Sequence, residues 1–111
     1  MAHLDQIRHP VLLQNLKYLA QQYLALGVAQ YNRKDVQAAI VETRKALACD
    51  STASMAWYNL GGYYLDMQQL EEAQKAWEQA LQLDPSNASI KKGLDFVSLS
   101  LVNKQKSGDR K

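Results

Sequence analysis

Residues 57–87 read WYNLGGYYLDMQQLEEAQKAWEQALQLDPSN, and their apolar side chains recur every three or four positions on both sides of a short polar break. This spacing predicts two amphipathic helices joined by a turn. A second copy of the pattern lies 34 residues earlier. The matches are mostly small or apolar residues, which set the distance between packed helices, so they indicate a structural repeat. The pairs are Leu60-Gly61 with Leu26-Gly27, Ala73 with Ala39, Ala80-Leu81 with Ala46-Leu47, and Asp84 with Asp50.

The later copy resembles the tetratricopeptide repeat. That family shows W-x-x-L-G-x-x-Y, then a small residue, an aromatic residue, another alanine and a closing proline. Trp77 stands where the family usually has phenylalanine. The earlier copy matches less well, with Gln30, Thr43 and Ser51 at three of the pattern positions. The later copy matches through Trp57, Leu60, Gly61, Tyr64, Ala73, Trp77, Ala80 and Pro85, and the earlier one through Tyr23, Leu26, Gly27, Ala39 and Ala46.

The resemblance implies an all-α fold. We expect a right-handed α-solenoid of two helical hairpins, with an extended N-terminal helix and a C-terminal capping helix. A length of 111 residues fits one small domain. The predicted segments are an N-terminal arm and helix extension (1–19), two repeats (20–53 and 54–87), a capping helix (88–103) and a disordered basic tail (104–111).

Local signals refine this outline. Pro10 favours the start of a helix, and Asp35 is a plausible N-cap of the second helix. Glycine inside a helix costs about 1 kcal/mol relative to alanine. We therefore interpret Gly61 as a point where two helix backbones approach closely, with Ala73 and Ala80 on the facing side. A phosphate-binding glycine loop is rejected, because no strand precedes this site and the other glycines of that motif are missing.

Two segments carry more apolar residues than their predicted positions need. Residues 11–19 extend the first helix and are too apolar to lie free in water, so we expect them to pack on something. Phe96, Leu99 and Val102 form a second apolar stripe on the capping helix, whose outer face should be polar. Contiguous exposed apolar surface usually marks an interface. Self-association through residues 11–19 or 96–102 is therefore an alternative function.

The sequence argues against several function classes. It offers no recognisable catalytic set, so we predict that the chain is not an enzyme and needs no cofactor. His3, Asp5 and His9 match no usual metal-ligand spacing, and we interpret them as part of a solvated arm. The net charge of +2 includes a tail, residues 103–111, with a net charge of +3. The rest is slightly acidic, which is unlike a nucleic-acid binder.

Location is inferred from absences. No apolar run approaches the ~18–20 residues that span a membrane, and the N-terminus lacks the apolar core of a signal peptide. The single cysteine, Cys49, suits a reducing compartment. We therefore expect a cytoplasmic protein without membrane or nucleic-acid partners. If the chain is a tetratricopeptide fragment of a larger protein, these absences mean little, and its surplus apolar stripes would contact missing parts.

The resemblance implies binding of a protein or peptide, whose identity the sequence does not give. In this family the concave face is lined by the first helix of each repeat, and we predict a mostly apolar groove there for a peptide or helix of a partner. For each apolar residue of this predicted groove, ordinary packing within the chain is an equally good explanation. The predicted groove residues are Leu24, Val28, Tyr31, Tyr58, Asn59, Gly62, Leu65, Asp66, Lys92 and Phe96.

One subclass of the family binds the acidic C-terminal tails of heat-shock chaperones through a clamp of lysine, asparagine and arginine side chains. Of the residues at those positions here, only Asn59 has a matching side chain. We therefore expect no carboxylate clamp. The residues at the clamp positions are Leu24, Val28, Asn59, Ser89 and Gly93.

Overall fold

The computed structural model describes residues 9–109. Each helix packs against the next one along the chain, which makes an all-α solenoid of two helical hairpins followed by a single helix. The predicted fold class is therefore confirmed, and the described residues include no strand. The helices are α1 (Pro10–Asn32), α2 (Val36–Cys49), α3 (Ser54–Asp66), α4 (Leu70–Leu83) and α5 (Ala88–Asp109).

The turns inside the two hairpins share one geometry. Lys34 and Gln68, which are 34 residues apart, both adopt the left-handed conformation, with φ of 68° and 59°. After α1, the amide of Asp35 donates to the Gln30 carbonyl at 2.9 Å, and the turn after α3 repeats this hydrogen bond at the same length. This is the Schellman arrangement, which satisfies carbonyls at a helix C-terminus. The backbone therefore repeats even where the earlier copy departs from the family pattern.

The second hairpin closes around the indole of Trp77. A Cβ added at Gly61 would lie 2.4 Å from that ring, so only glycine fits there without displacement. The sequence interpretation placed Ala73 and Ala80 opposite Gly61, but the atoms closest to it belong to Trp77. Ala73 and Ala80 are fully buried, as packed alanines should be. Close approach is confirmed, and the residue that requires it is the tryptophan.

In the first hairpin, a smaller residue lies at the point where the two helices approach closely. Thr43 occupies the position of Trp77, is fully buried, and donates its hydroxyl to the Ala39 carbonyl at 2.7 Å. A Cβ at Gly27 would lie 2.6 Å from the Thr43 oxygen. A threonine hydroxyl inside a helix is satisfied by the carbonyl four residues earlier. The departure at Thr43 therefore keeps the two helices close and leaves no buried polar group unpaired.

The helix ends follow local chemistry. Pro10 is the first residue of α1, and the Asp35 carboxylate accepts from the Ala38 amide at 3.0 Å, which confirms the predicted N-cap of α2. The end of α5 differs from the prediction, because the helix continues to Asp109 and includes most of the segment predicted to be disordered. No proline interrupts this segment, and Lys104 lies 3.9 Å from Glu71 of α4. Cations also favour a helix C-terminus.

Parts of two predicted segments lie outside the described residues. They are residues 1–8, which include His3 and Asp5 of the arm, and residues 110–111 of the tail. Over residues 9–109, no helix is both long enough and apolar enough to cross a membrane.

Candidate peptide-binding groove

Three rows of equivalent positions run across α1, α3 and α5 at 34-residue intervals, and together they define what we call the groove face. Val28 and Tyr31 are exposed, and Phe96 is 58% exposed. Leu24, Tyr58 and Leu65 are half-buried and pack against the core. The face is therefore apolar and open in the isolated chain. Its rows are Leu24, Tyr58 and Lys92; Val28, Gly62 and Phe96; and Tyr31, Leu65 and Leu99.

One end of the groove face is fixed by an aromatic and acidic pair. The Tyr31 hydroxyl donates to the Asp66 carboxylate at 2.6 Å, and the Tyr31 ring stacks on Tyr63 with centroids 5.0 Å apart. The hydrogen bond to Asp66, together with the charge of that carboxylate, raises the pKa of Tyr31 above its ordinary value near 10. This contact links α1 to α3 and brings two of the predicted groove residues together.

The centre of the groove face is a glycine that the fold does not require. A Cβ at Gly62 would meet nothing within 4 Å, and no described glycine has a positive φ. Its neighbour Gly61 is fixed by the Trp77 ring, so the two glycines have different causes. Gly62 stands between Val28 and Phe96 in the middle row and adds no side chain to it.

Tyr58 also serves the core. Its carbonyl accepts from the Trp77 indole N–H at 2.8 Å, and the two rings lie 6.4 Å apart. The neighbouring Asn59 is half-buried, while Asp66 and Lys92 are exposed. Truncation of Tyr58 therefore disturbs α3–α4 packing together with any groove contact, whereas changes at Phe96 affect an exposed side chain.

One face of α5, at the C-terminal end of the solenoid, is polar. Lys91, Asp95 and Ser98 occupy the positions that Trp57, Gly61 and Tyr64 hold in α3, and all three are exposed. The second apolar stripe that the sequence analysis found on this capping helix is divided between two places. Phe96 and Leu99 fall in the groove rows, and Val102 lies beyond them. Leu99 was not among the predicted groove residues, although its position 34 residues after Leu65 makes it a candidate of the same kind.

A second concavity lies between α2, α3 and α4, and we call it the back cleft. Its volume is about 370 Å³, and residues from α2, α3 and α4 line it. Arg44 and Lys75 supply positive charge and Glu72 negative charge, and the Arg44 guanidinium lies 3.4 Å from the Tyr64 hydroxyl. The back cleft is more strongly charged than the groove face, and none of the predicted groove residues lines it.

Most of the start of α1 is exposed, although Leu16 is half-buried and Lys17 lines a concavity together with residues 50–55. Val11, Leu12 and Tyr18 are 58%, 55% and 64% exposed, and Ala20 is the first buried residue of the helix. Among residues 9–109, the prediction that residues 11–19 pack on something is met only in part, at Leu16. The apolar segment at the start of α1 is therefore left mostly exposed.

Comparison with known proteins places these features in a family. Residues 54–87 match the model of the tetratricopeptide repeat. The RNA polymerase-associated protein CTR9 of Caenorhabditis elegans is 31% identical over 75 residues, which make up 67% of this chain but only 6% of that protein.

Two solved structures extend the likeness to the fold. The first tetratricopeptide domain of Spaghetti (RPAP3), bound to the HSP90 peptide SRMEEVD, superposes with a TM-score of 0.74 at 26% identity, over 77% of this chain and 68% of that one. The first such domain of human RPAP3 gives the same TM-score at 27% identity, over 81% of this chain and 71% of that one.

Proposed function

Because the chain belongs to the tetratricopeptide repeat family, we propose that it is a non-catalytic module that binds a peptide or helix of a partner protein on the groove face. The similar Spaghetti domain is described with a bound peptide, which supports this type of function. The exposed apolar residues of α1 and α5 would supply the contacts, and the half-buried residues of α3 the floor.

Gly62 carries the proposal. A helix-interior glycine is unfavourable relative to alanine, and neither packing nor backbone conformation requires one at this position. A ligand backbone passing over α3 would give the missing reason, because it needs the space that a Cβ would fill. A glycine retained at a stability cost in the middle of an exposed apolar surface is typical of a binding site.

The expected ligand differs from the chaperone tail bound by Spaghetti. Binding an acidic tail requires cations, and the clamp positions here hold Leu24, Val28, Ser89 and Gly93 besides Asn59. Lys92 is the one cation among the proposed groove residues, and Asp66 offsets it. We therefore propose an apolar peptide or amphipathic helix as the ligand, with only a small electrostatic contribution to its binding.

The test is a selection from a phage-displayed peptide library against the full chain, followed by titration of a selected peptide. Gly62→Ala and Phe96→Asp should each weaken its binding by roughly 10-fold or more, since both change the centre of the surface. Val41→Asp is the matched control, because Val41 is exposed on α2, away from the groove face. It should leave the dissociation constant unchanged.

Two results would contradict the proposal. One is a selected peptide whose affinity is the same for the wild type, Gly62→Ala and Phe96→Asp. The other is a library that yields no ligand at micromolar concentration, even for a donor variant such as Leu12→Asp, in which the apolar start of α1 cannot compete for the groove.

Self-association is a second candidate function, and the mostly exposed start of α1 favours it. Several apolar side chains over residues 11–19 are exposed, among them Leu12 and Leu19. The stripe over residues 96–102 is a weaker candidate for a separate self-association interface. Two of its apolar residues, Phe96 and Leu99, are already part of the groove face.

A further inference from the structure

We propose that the occupant of the groove face is residues 11–19 of a second copy of this chain, hereafter the donor segment. The inference rests on the proposed function and names the partner. It joins two otherwise separate observations: a helix start whose apolar side chains are mostly exposed, and an apolar face that no described residue covers.

A chain cannot fill its own groove with its own donor segment. Helix α1 runs from Pro10 to Asn32, and its only interior glycine, Gly27, lies well beyond the donor segment. The donor segment therefore continues the axis of the same helix whose Leu24, Val28 and Tyr31 form one wall of the groove. Reaching the groove would require breaking α1 near Ala20, where it begins to be buried. The donor must therefore come from another molecule.

The dimensions of the two surfaces are compatible. Nine helical residues extend about 13.5 Å, and three neighbouring helices spaced 8–10 Å apart would present a face on the order of 20 Å wide. The donor segment carries Val11, Leu12, Leu13, Leu16 and Leu19, which are enough apolar side chains to meet all three rows. An amphipathic helix laid in an apolar groove is a common mode of peptide recognition.

The charges of the two surfaces are compatible. Lys17 is the one charged residue of the donor segment, and the acidic residue of the proposed groove is Asp66, whose carboxylate accepts a hydrogen bond from Tyr31. The groove cation, Lys92, would meet a segment that has no second charge but carries the amide side chains of Gln14 and Asn15. The contact would therefore contain one pair of opposite charges, Lys17 and Asp66. It would bring no like charges together.

Such a contact joins two different surfaces. Two copies that exchange donor segments would close as a dimer, and exchange without closure would propagate as a chain. Reciprocal exchange uses two donor–groove contacts per dimer, which doubles the area buried by one contact, and a stable interface buries ~800 Å² per partner. The donor segment explains both the open centre at Gly62 and the exposed side chains at the start of α1.

The experiment uses the full chain and a sizing column with light scattering. The donor variant is Leu12→Asp/Leu19→Asp, the groove variant is Phe96→Asp, and Val41→Asp is the control. All four substituted side chains are more than a third exposed, so each variant should keep the helical signal of the wild type. The wild type and the control should associate at micromolar concentration. The donor and groove variants should each dissociate at least roughly 100-fold more readily.

Mixing the two defective variants gives the sharpest readout. The donor variant retains an intact groove and the groove variant retains an intact donor segment, so an equimolar mixture should recover the mass of a dimer held by one contact. The inference is overturned by a monomeric wild type at 100 µM, by a groove variant that associates like the wild type, or by a mixture that stays monomeric.

The outcomes also separate this inference from the proposed function. A monomeric wild type whose affinity for a library peptide falls with Gly62→Ala removes the second copy as occupant and leaves the groove as a binding site. Groove substitutions that change neither association nor peptide binding remove both.

Discussion

Two adjacent glycines in α3 differ in what holds them there. Gly61 faces the buried Trp77 ring, whose indole N–H is fixed by the Tyr58 carbonyl, so the ring cannot move away from an added methyl group. Gly61→Ala should lower the free energy of unfolding by about 1–3 kcal/mol through overpacking. Gly62→Ala should raise it by about 0.5–1 kcal/mol, because nothing opposes the better helix former. Urea unfolding of both variants measures this, and effects of the same sign would contradict the account.

The Tyr31–Asp66 pair makes a prediction about pH. The folded-state pKa of Tyr31 is raised above its unfolded value near 10, so the stabilisation from this pair is complete below about pH 10. It should be lost as the pH rises through the folded-state pKa. Asp66→Ala should lower the pKa of Tyr31 toward 10, whereas Asp95→Ala, on the outer face of α5, should not change it. NMR titration of labelled tyrosine rings follows the pKa directly, and an unchanged Tyr31 pKa in Asp66→Ala would show that the pair is not formed in solution.

At the scale of single helices, the N-caps of α2 and α4 give a test of the structure. Asp35 accepts a hydrogen bond from the Ala38 amide, while Gln69, at the same place before α4, makes no side-chain cap. Asp35→Ala should therefore destabilise the chain by about 1 kcal/mol, and Gln69→Ala by only a few tenths. Chemical unfolding again gives the values. Equal losses at the two positions would mean that the Asp35 cap contributes nothing.

Most of the helical organisation could be predicted from the sequence, and the exceptions have physical reasons. Periodicity and the Asp35 signal placed α2 and α4 closely, because apolar spacing and turn chemistry are local. The end of α5 was predicted too early, since charged and polar residues read as disorder when their tertiary partner is unknown. Glu71 lies more than thirty residues from Lys104 in sequence, so nothing local indicated the contact. The role of Trp77 at Gly61 was hidden for the same reason.

The described chain is elongated, with extents of 56 × 30 × 28 Å. A chain that exposes an apolar helix end and an apolar face can cover them in two ways. It can bind a different protein, or it can associate with a second copy of itself. The groove residues stay a prediction that came from the family resemblance, and the 34-residue register adds Leu99 to the candidates. The sequence could not show that Gly62 is free of neighbours, because this depends on where the Trp77 ring lies.

Charge at the scale of the whole molecule gives a further prediction. The peptide SRMEEVD should bind at least roughly 100-fold more weakly than a library-selected apolar peptide, since the clamp cations are missing. Raising salt from 50 to 500 mM should change the affinity of the apolar peptide less than threefold, because few charges take part. Fluorescence anisotropy with labelled peptides measures both. Tight, salt-sensitive binding of SRMEEVD that Asn59→Ala abolishes would contradict this prediction.

The location of the binding surface can be tested directly by NMR. A library-selected peptide carrying a nitroxide label, added to the ¹⁵N-labelled Leu12→Asp/Leu19→Asp variant, should broaden the amide signals of Val28, Gly62 and Phe96 most strongly. Those of Arg44 and Lys75 in the back cleft should stay sharp. Strong broadening at the back cleft with unaffected signals at Gly62 would show that the groove face is not where this chain binds.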